Sequence, residues 1–230
     1  MAHCFWPAGK WRIADGRRMK SPEFSGVILA GGKSRRMGRD KGQLMLQGET
    51  LAARAVRTLS ALTEDVILVT NTPEPFKGLG ARLTGDVIPG GGALSGIHAG
   101  LIAARHEWAL VVACDMPFLN LDLLRYIASL APGASAVAVV PRWKGELETL
   151  HTFYSRQCLP YIEPILRRGG GRIIEFYERI NVRYVEPDEI TLLDPQGLSF
   201  FNVNSPEDWA RAQELATREQ NERGKLTPLM

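Results

Sequence analysis

The sequence predicts an α/β fold on a mostly parallel sheet with helices on both faces, and three observations predict it. Short runs rich in Val, Ile and Leu recur at Val27 to Ala30, Val66 to Thr70, Trp108 to Ala113 and Ala136 to Val140. Each has the length and branching of a strand buried on both faces. Between the runs lie segments whose apolar residues repeat at helical spacing, so strands and helices alternate, with no linker and no internal repeat. Finally, the first run breaks at Gly31-Gly32 and the third leads into Asp115. Ligand-binding groups therefore gather at the carboxyl edge of the sheet, the edge where open α/β sheets bind ligands.

Taken in order, the first run is a strand that feeds a glycine-rich loop. Thr50 caps a helix through Leu51, Ala55, Val56, Leu59 and Leu62, an apolar stripe at helical spacing. Val66 to Thr70 is the second strand, and strand, helix and strand make a right-handed crossover. A short third strand falls near Ala81 to Leu83, before Gly85-Asp86, and the Pro89 to Gly92 stretch is irregular. Ala93 to Arg105 reads as a helix and Trp108 to Ala113 as the most apolar strand. Asn120 caps the next helix, through Leu123, Leu124, Ile127 and Leu130. Ala136 to Val140 is a strand, Pro141 to Glu146 a loop, and Thr149 to Tyr154 a strand. Cys158 to Arg168 is helical despite Pro160 and Pro164, Gly169 to Gly171 interrupts, and Arg172 to Ile180 is helical again. Val182 to Val185 is the last strand. Ser205 caps the final helix, with Pro206 in its first position and Asp208 three residues after the cap.

Composition narrows the class. Hydrophobic content of 45% and charged content of 23% are ordinary for a globular chain of 230 residues. The formal charge of +3 is too slight to indicate nucleic acid or membrane binding, and no run is long enough to cross a bilayer. Cys4, Cys114 and Cys158 have no Cys-x-x-Cys spacing, so neither a disulfide framework nor a zinc site is indicated, and a reducing cytoplasm is the expected compartment. His98, His106 and His151 stand singly and read as surface or packing residues. Residues 1–23 read as a loose basic extension, with Met19 as an alternative start. Residues 24–216 read as one domain, and 217–230 as a frayed polar tail.

The Gly26 to Lys41 stretch carries the chemistry. Two adjacent glycines let main-chain N–H groups approach a ligand, while Lys33, Arg35, Arg36 and Lys41 bring positive charge. The combination suits a polyphosphate. A Walker loop would need glycine where the chain has Val27, and the dinucleotide fingerprint is absent. Asp115 stands where a buried parallel strand ends, which makes it the strongest single candidate, and magnesium is the ion that a lone carboxylate plus phosphates would hold.

The pattern Leu-Ala-Gly-Gly-x-Ser-x-Arg-Met-Gly-x-Asp-Lys resembles the signature loop of nucleotidyltransferases, in particular the molybdenum cofactor guanylyltransferase (MobA) family. The resemblance covers roughly Gly26 to Leu215. It implies a Rossmann-like, three-layer α/β/α sandwich whose sheet carries one antiparallel strand. It also implies transfer of GMP from Mg-GTP to the terminal phosphate of molybdopterin, with release of pyrophosphate. Catalytic roles fall on Arg36, Lys41 and Asp115, with Asp115 matching the metal-binding aspartate of a Cys-Asp-x-Pro motif. Nucleotide contacts fall on Leu29, Ala30, Gly31, Gly32, Lys41, Asn71, Asp86 and Asp115. Asn71 aligns less securely, since the family asparagine falls where this chain has Val69. Gly92 to Gly96 resembles Gly-Pro-Leu-Ala-Gly with Ala93 in place of proline, an anion site for either the triphosphate or the acceptor phosphate. Asn202 and Asn204, in a late Asn-x-Asn-Ser-Pro motif, fall on the acceptor side. Thr149 replaces a family proline there.

A site that selects guanine needs acceptors for its N1–H and N2–H, from main-chain carbonyls, Asp86 or Asn71. The attacking phosphate is already an anion, so no general base is required. Competing readings are a cytidylyltransferase, another nucleotidyltransferase with a different phosphorylated acceptor, and a nucleotide-binding regulator without turnover. A cytoplasmic monomer is expected, in transient contact with proteins of cofactor biosynthesis.

Overall fold

Strands of Val, Ile and Leu that have no polar face must be covered on both sides, and the structure does this with helices from alternate crossovers. The computed structural model of the protein describes residues 23–31, 41–131 and 135–225. Its strands are β1 (Phe24–Leu29), β2 (Met45–Leu46), β3 (Glu49–Thr50), β4 (Val66–Val69), β5 (Arg82–Thr84), β6 (Trp108–Ala113), β7 (Ala138–Trp143), β8 (Glu146–Leu147), β9 (His151–Ser155) and β10 (Val182–Val185). Its helices are α1 (Leu51–Ser60), α2 (Ala93–Ala103), α3 (Leu121–Ser129), α4 (Leu159–Arg167), α5 (Pro187–Thr191) and α6 (Pro206–Lys225). Among the described residues no helix is long and apolar enough to cross a membrane.

The main sheet runs β10-β7-β9-β6-β1-β4-β5, with β8 hairpinned onto β7. β1 is parallel to β4 and β6, β4 to β5, and β10 to β7. β9 is antiparallel to both of its neighbours, β6 and β7. β9, the strand expected near residues 149–154, thus departs from the parallel order, and so does the two-residue β8, which pairs antiparallel to β7. Because β1, β4 and β6 end side by side at Leu29, Val69 and Ala113, their carboxyl ends form a single edge.

Two cores sandwich the sheet. On one face Ile28, Leu68, Leu110, Val112 and Phe153 meet Ala55, Val56 and Leu59 of α1 and Leu123, Leu124 and Ile127 of α3. On the other, Val27, Leu29, Ile67, Val69 and Val111 meet Leu94, Ile97 and Leu101 of α2 and Ile162, Ile165 and Leu166 of α4. A third cluster joins Leu46 and Leu51 to Phe118, Val203, Ala212 and Ala216, so α6 and the β2–β3 hairpin close over the chain beyond β6. At the amino edge of the sheet, buried Asp65 accepts from Ser25 Oγ (2.6 Å), Arg82 Nη2 (2.7 Å) and the Arg105 amide (3.1 Å). The carboxylate thereby ties three connections together.

Helix starts follow the caps read from sequence. Thr50 Oγ1 accepts from the Ala53 amide, Asn120 Oδ1 from the Asp122 and Leu123 amides, and Ser205 Oγ from the Asp208 amide. Each such cap contributes about 1 kcal/mol. Other expectations change. The Pro141 to Glu146 loop is in fact the end of β7 and the start of β8, turning at Lys144 (φ 48°) and Gly145 (φ 86°), the twisted two-residue turn that hairpins favour. Arg172 to Ile180 is a tighter 3-10 turn over Ile173–Arg179. The β2–β3 pair and α5 were not foreseen. α6 continues to Lys225, past the point where a frayed tail from Thr217 was expected.

Candidate active site

The carboxyl edge of β1, β4 and β6 opens into a cleft of about 330 Å³, lined on its floor by Leu29, Val69, Thr70, Ala113 and Cys114. Two walls rise from it. Gly31, Lys41, Asp115 and Leu150 line one part of the rim, and Asn71, Asp86, Gly92, Ala93 and Gly96 line the other.

Lys41 begins a 3-10 turn, Lys41–Gln43, ahead of the β2–β3 hairpin. Its ammonium donates to Asp115 Oδ2 at 3.0 Å and to Asn204 Oδ1 at 2.7 Å, and both members of the ion pair are about one-fifth exposed. The main chain reinforces this junction, because the Val203 amide donates to the Asp115 carbonyl at 3.0 Å. Asp208 Oδ2 accepts from the Asn204 and Ser205 amides at 2.9 Å each. The Asn204 amide, then the Ser205 contacts, hold the Asp208 carboxyl below its usual range. Asn204 is thus fixed by the start of α6 and turns its side-chain carbonyl to the lysine.

On the opposite wall Asn71 and Asp86 form a closed pair. The Asp86 amide donates to Asn71 Oδ1 at 2.9 Å, and Asn71 Nδ2 donates to Asp86 Oδ2 at 2.8 Å. The asparagine uses one N–H and one oxygen lone pair on Asp86, whose carboxylate keeps accepting capacity. Beyond them the Ile88 to Gly92 turn is pinned by buried Ser95, whose Oγ donates to the Ile88 carbonyl (2.6 Å) and accepts from the Gly91 amide (2.9 Å).

Of the residues expected from sequence, Leu29, Gly31, Lys41, Asn71, Asp86, Gly92, Gly96 and Asp115 share this cleft. Asn204 joins through Lys41. Ala30 is buried, with its amide on the Val69 carbonyl at 2.9 Å. Asn202 is not among the described residues that line the cleft; its side-chain amide donates to the Phe200 carbonyl at 3.2 Å. Gly32 and Arg36 lie outside the described residues. Sequence reasoning missed Thr70 and Leu150, and Cys114, read as a core residue, lines the floor as well as being buried. Applying the carboxyl-edge rule to β4 as well as to β6 would have found Thr70, and Cys114 is the first residue beyond β6, next to the Asp115 that the rule did find.

Near Leu150 the half-buried Glu148 carboxyl is pushed up to about 7, by burial first and by Glu146 second. His151 is fully buried and held neutral, its pKa lowered by burial to about 3. Among the described residues no group of three His, Cys, Asp or Glu side chains could hold a metal ion by itself. A lone carboxylate on the rim does suit magnesium, which takes one or two carboxylates and fills its other positions with phosphate oxygens and water.

The sequence model of the MobA-like NTP transferase domain matches residues 26–181. A probable molybdenum cofactor guanylyltransferase of Pelotomaculum thermopropionicum is 40% identical over 194 residues, covering 84% of this chain and 94% of that protein. The molybdenum cofactor guanylyltransferase of Desulfosudis oleivorans is 38% identical over 190 residues, covering 82% and 94%. The crystal structure of molybdopterin-guanine dinucleotide biosynthesis protein A from Archaeoglobus fulgidus superposes with a TM-score of 0.75 at 28% identity, covering 84% of this chain and 99% of that one.

Proposed function

Because the chain belongs to the MobA-like NTP transferase family, we propose that it transfers GMP from Mg-GTP to the terminal phosphate of molybdopterin. Pyrophosphate leaves, and molybdopterin guanine dinucleotide forms. The observation that carries the reading is the meeting of Lys41, Asp115 and Asn204 on one wall of a cleft whose other wall presents the Asn71–Asp86 pair. One wall offers groups for phosphates and a cation, the other an acceptor for a base.

The transfer is an in-line displacement at the α-phosphorus. An oxygen of the acceptor phosphate forms the new P–O bond while the bond to the β-phosphate oxygen breaks, and the electron pair leaves with pyrophosphate. Most of the acceleration in such a step comes from positioning and from fixed charge. Lys41 places an ammonium where the triphosphate enters, and it is held there before substrate arrives, so little reorganisation is needed. Asp115 would hold the magnesium ion, which supplies charge neutralisation on the triphosphate. The Gly31 main chain leaves room for phosphate oxygens.

Asp86 is assigned to the base. Guanine offers N1–H and N2–H side by side, and a carboxylate accepts both, whereas adenine offers only its N6 amino group on that edge. Asn71, bonded to the Asp86 carboxylate and amide, orients that carboxylate.

The test is pyrophosphate release with molybdopterin and Mg²⁺, comparing GTP with CTP, ATP and UTP. Selective turnover with GTP is expected. Turnover with CTP alone would make the chain a cytidylyltransferase, and no turnover with any triphosphate would reject molybdopterin as acceptor. Asp115→Asn is expected to lower kcat by about 100-fold or more while retaining part of the nucleotide affinity, in line with the loss of a group that acts on developing charge.

A further inference from the structure

The Gly90 to Gly92 turn forms part of the base-side wall, yet it has no side chains with which to anchor itself. Gly90 (φ 98°) and Gly92 (φ 59°) adopt left-handed backbone that other residues rarely take. Ser95 holds the turn from inside. From outside, it is backed by the end of α4. A side chain on Gly91 would strike Leu166 Cδ2 at 2.2 Å, so the leucine already rests on the turn.

The α4 helix closes with the hydrogen bonds of a Schellman motif. The Gly169 amide donates to the Leu166 carbonyl and the Gly170 amide to the Ile165 carbonyl, both at 3.0 Å. Its two left-handed glycines differ in surroundings. Among the described residues a Cβ on Gly169 (φ 103°) would meet nothing within 4 Å, whereas one on Gly170 (φ 94°) would lie 2.9 Å from Gly91 Cα and 3.4 Å from the Gly90 carbonyl oxygen. Those are backbone atoms, which cannot swing aside as the tip of a side chain can. Two glycine turns, 79 positions apart in sequence (170 minus 91), thus lie backbone to backbone.

We propose that Gly170 is a positioning residue for nucleotide binding, acting through Gly91 to set how far the Gly90 to Gly92 turn leans into the cleft. The inference rests on the assignment of this cleft to Mg-GTP. Any side chain at position 170 displaces the turn, and with it Gly92 and the start of α2, whose Ala93 and Gly96 share the wall with Asp86. An Arg167-Arg168 pair precedes the glycines, but Arg167 pairs with Glu163 and Arg168 with Glu175, so the contribution of this segment is its shape.

The experiment is Mg-GTP titration calorimetry on the wild type, Gly170→Ala and Gly169→Ala, with thermal melts to confirm folding. Both substitutions place a side chain at a positive φ of similar size, 103° and 94°, so their difference reports chiefly the contact with Gly91. Gly170→Ala is expected to weaken binding by about tenfold or more, and Gly169→Ala by less than about threefold, because a displacement of about an ångström in a binding wall has effects of that order. In turnover, KM for GTP should rise with kcat largely kept. Equal affinities for the two variants would overturn the proposal. Should Gly170→Ala fail to fold, Leu166→Ala removes the second contact on the outer side of Gly91 without backbone strain, and unchanged GTP affinity there would overturn it too. A folded wild type that does not bind Mg-GTP would reject the assignment of the cleft itself.

Discussion

His151 supplies a stability experiment whose size follows from its surroundings. It stands at the start of β9 opposite Val112, fully buried, its ring edge-on to Phe200 at 5.0 Å between centroids. Neither ring nitrogen has a hydrogen-bond partner among the described residues. Burial holds the imidazole neutral, with its pKa lowered from 6.5 to about 3. Between those values the unfolded chain binds a proton that the folded chain does not, so stability falls as pH falls from 6.5 toward 3. At pH 5 the gap is about 1.5 pH units, which at about 1.4 kcal/mol per unit amounts to about 2 kcal/mol lost through this residue.

His151→Leu removes the titration and keeps an apolar group against Phe200. At pH 8 it should be neutral or stabilising, since two unpaired buried polar atoms are replaced by hydrocarbon. Urea unfolding at pH 8, 6.5, 5.5 and 5 measures the difference. The variant's advantage should grow by about 2 kcal/mol from pH 8 to pH 5. Glu148 titrates in the same range with the opposite sign, since its raised carboxyl pKa costs stability as pH climbs, but both proteins carry it. Parallel loss of stability in the two proteins would refute a neutral buried imidazole.

Asp65→Ala should cost about 3 kcal/mol, because Ser25 and Arg82 lose a buried partner; a chemical denaturation midpoint that scarcely moves would contradict this. Burial alone would raise the Asp65 pKa, but Ser25, the Arg105 amide and Arg82 together lower it. Its contribution is therefore present above about pH 3.8 and lost as pH falls through the lower folded value, a dependence that Asp65→Asn should remove. Gly100→Ala would set a methyl 2.4 Å from Val27 Cγ1 at the seam between α2 and β1. Overpacking of this kind costs about 1–3 kcal/mol, and Val27→Ala in the same chain should recover part of it in a double-mutant cycle.

The parts of the fold legible in the sequence are those set by neighbours along the chain. Trp108 to Ala113 and Val182 to Val185 are strands with the bounds read from their apolar runs, and Thr50, Asn120 and Ser205 cap the helices that follow them. The β7–β8 turn was hidden because Lys144-Gly145 lacks the usual Asn-Gly or Asp-Gly signal, although Lys144 adopts the same left-handed backbone. The two-residue strands β2 and β3 are too short to show an alternation. In the site, the residues at the ends of β1 and β6 were legible from strand-then-glycine and strand-then-acid order. The contacts of Lys41 with Asp115 and Asn204 were not, since they span 74 and 163 positions and depend on where α6 closes.

The two walls of the cleft rest on different cores, and this bears on how the enzyme can separate its tasks. The Lys41, Asp115 and Asn204 wall hangs on the cluster of Leu46, Phe118, Val203 and Ala212 beneath α6. The wall of Asp86, Gly92 and Gly96 rests on α2 and the end of α4. Close packing transmits a shift most directly to the side chains in contact with it. Substitutions beneath α6 should therefore act on phosphate and metal geometry, and on kcat, while substitutions around Leu166 and Gly170 act on base-side binding, and on KM. A transferase needs these to be separable, because the grip on the base must persist while the bond at the α-phosphorus is exchanged.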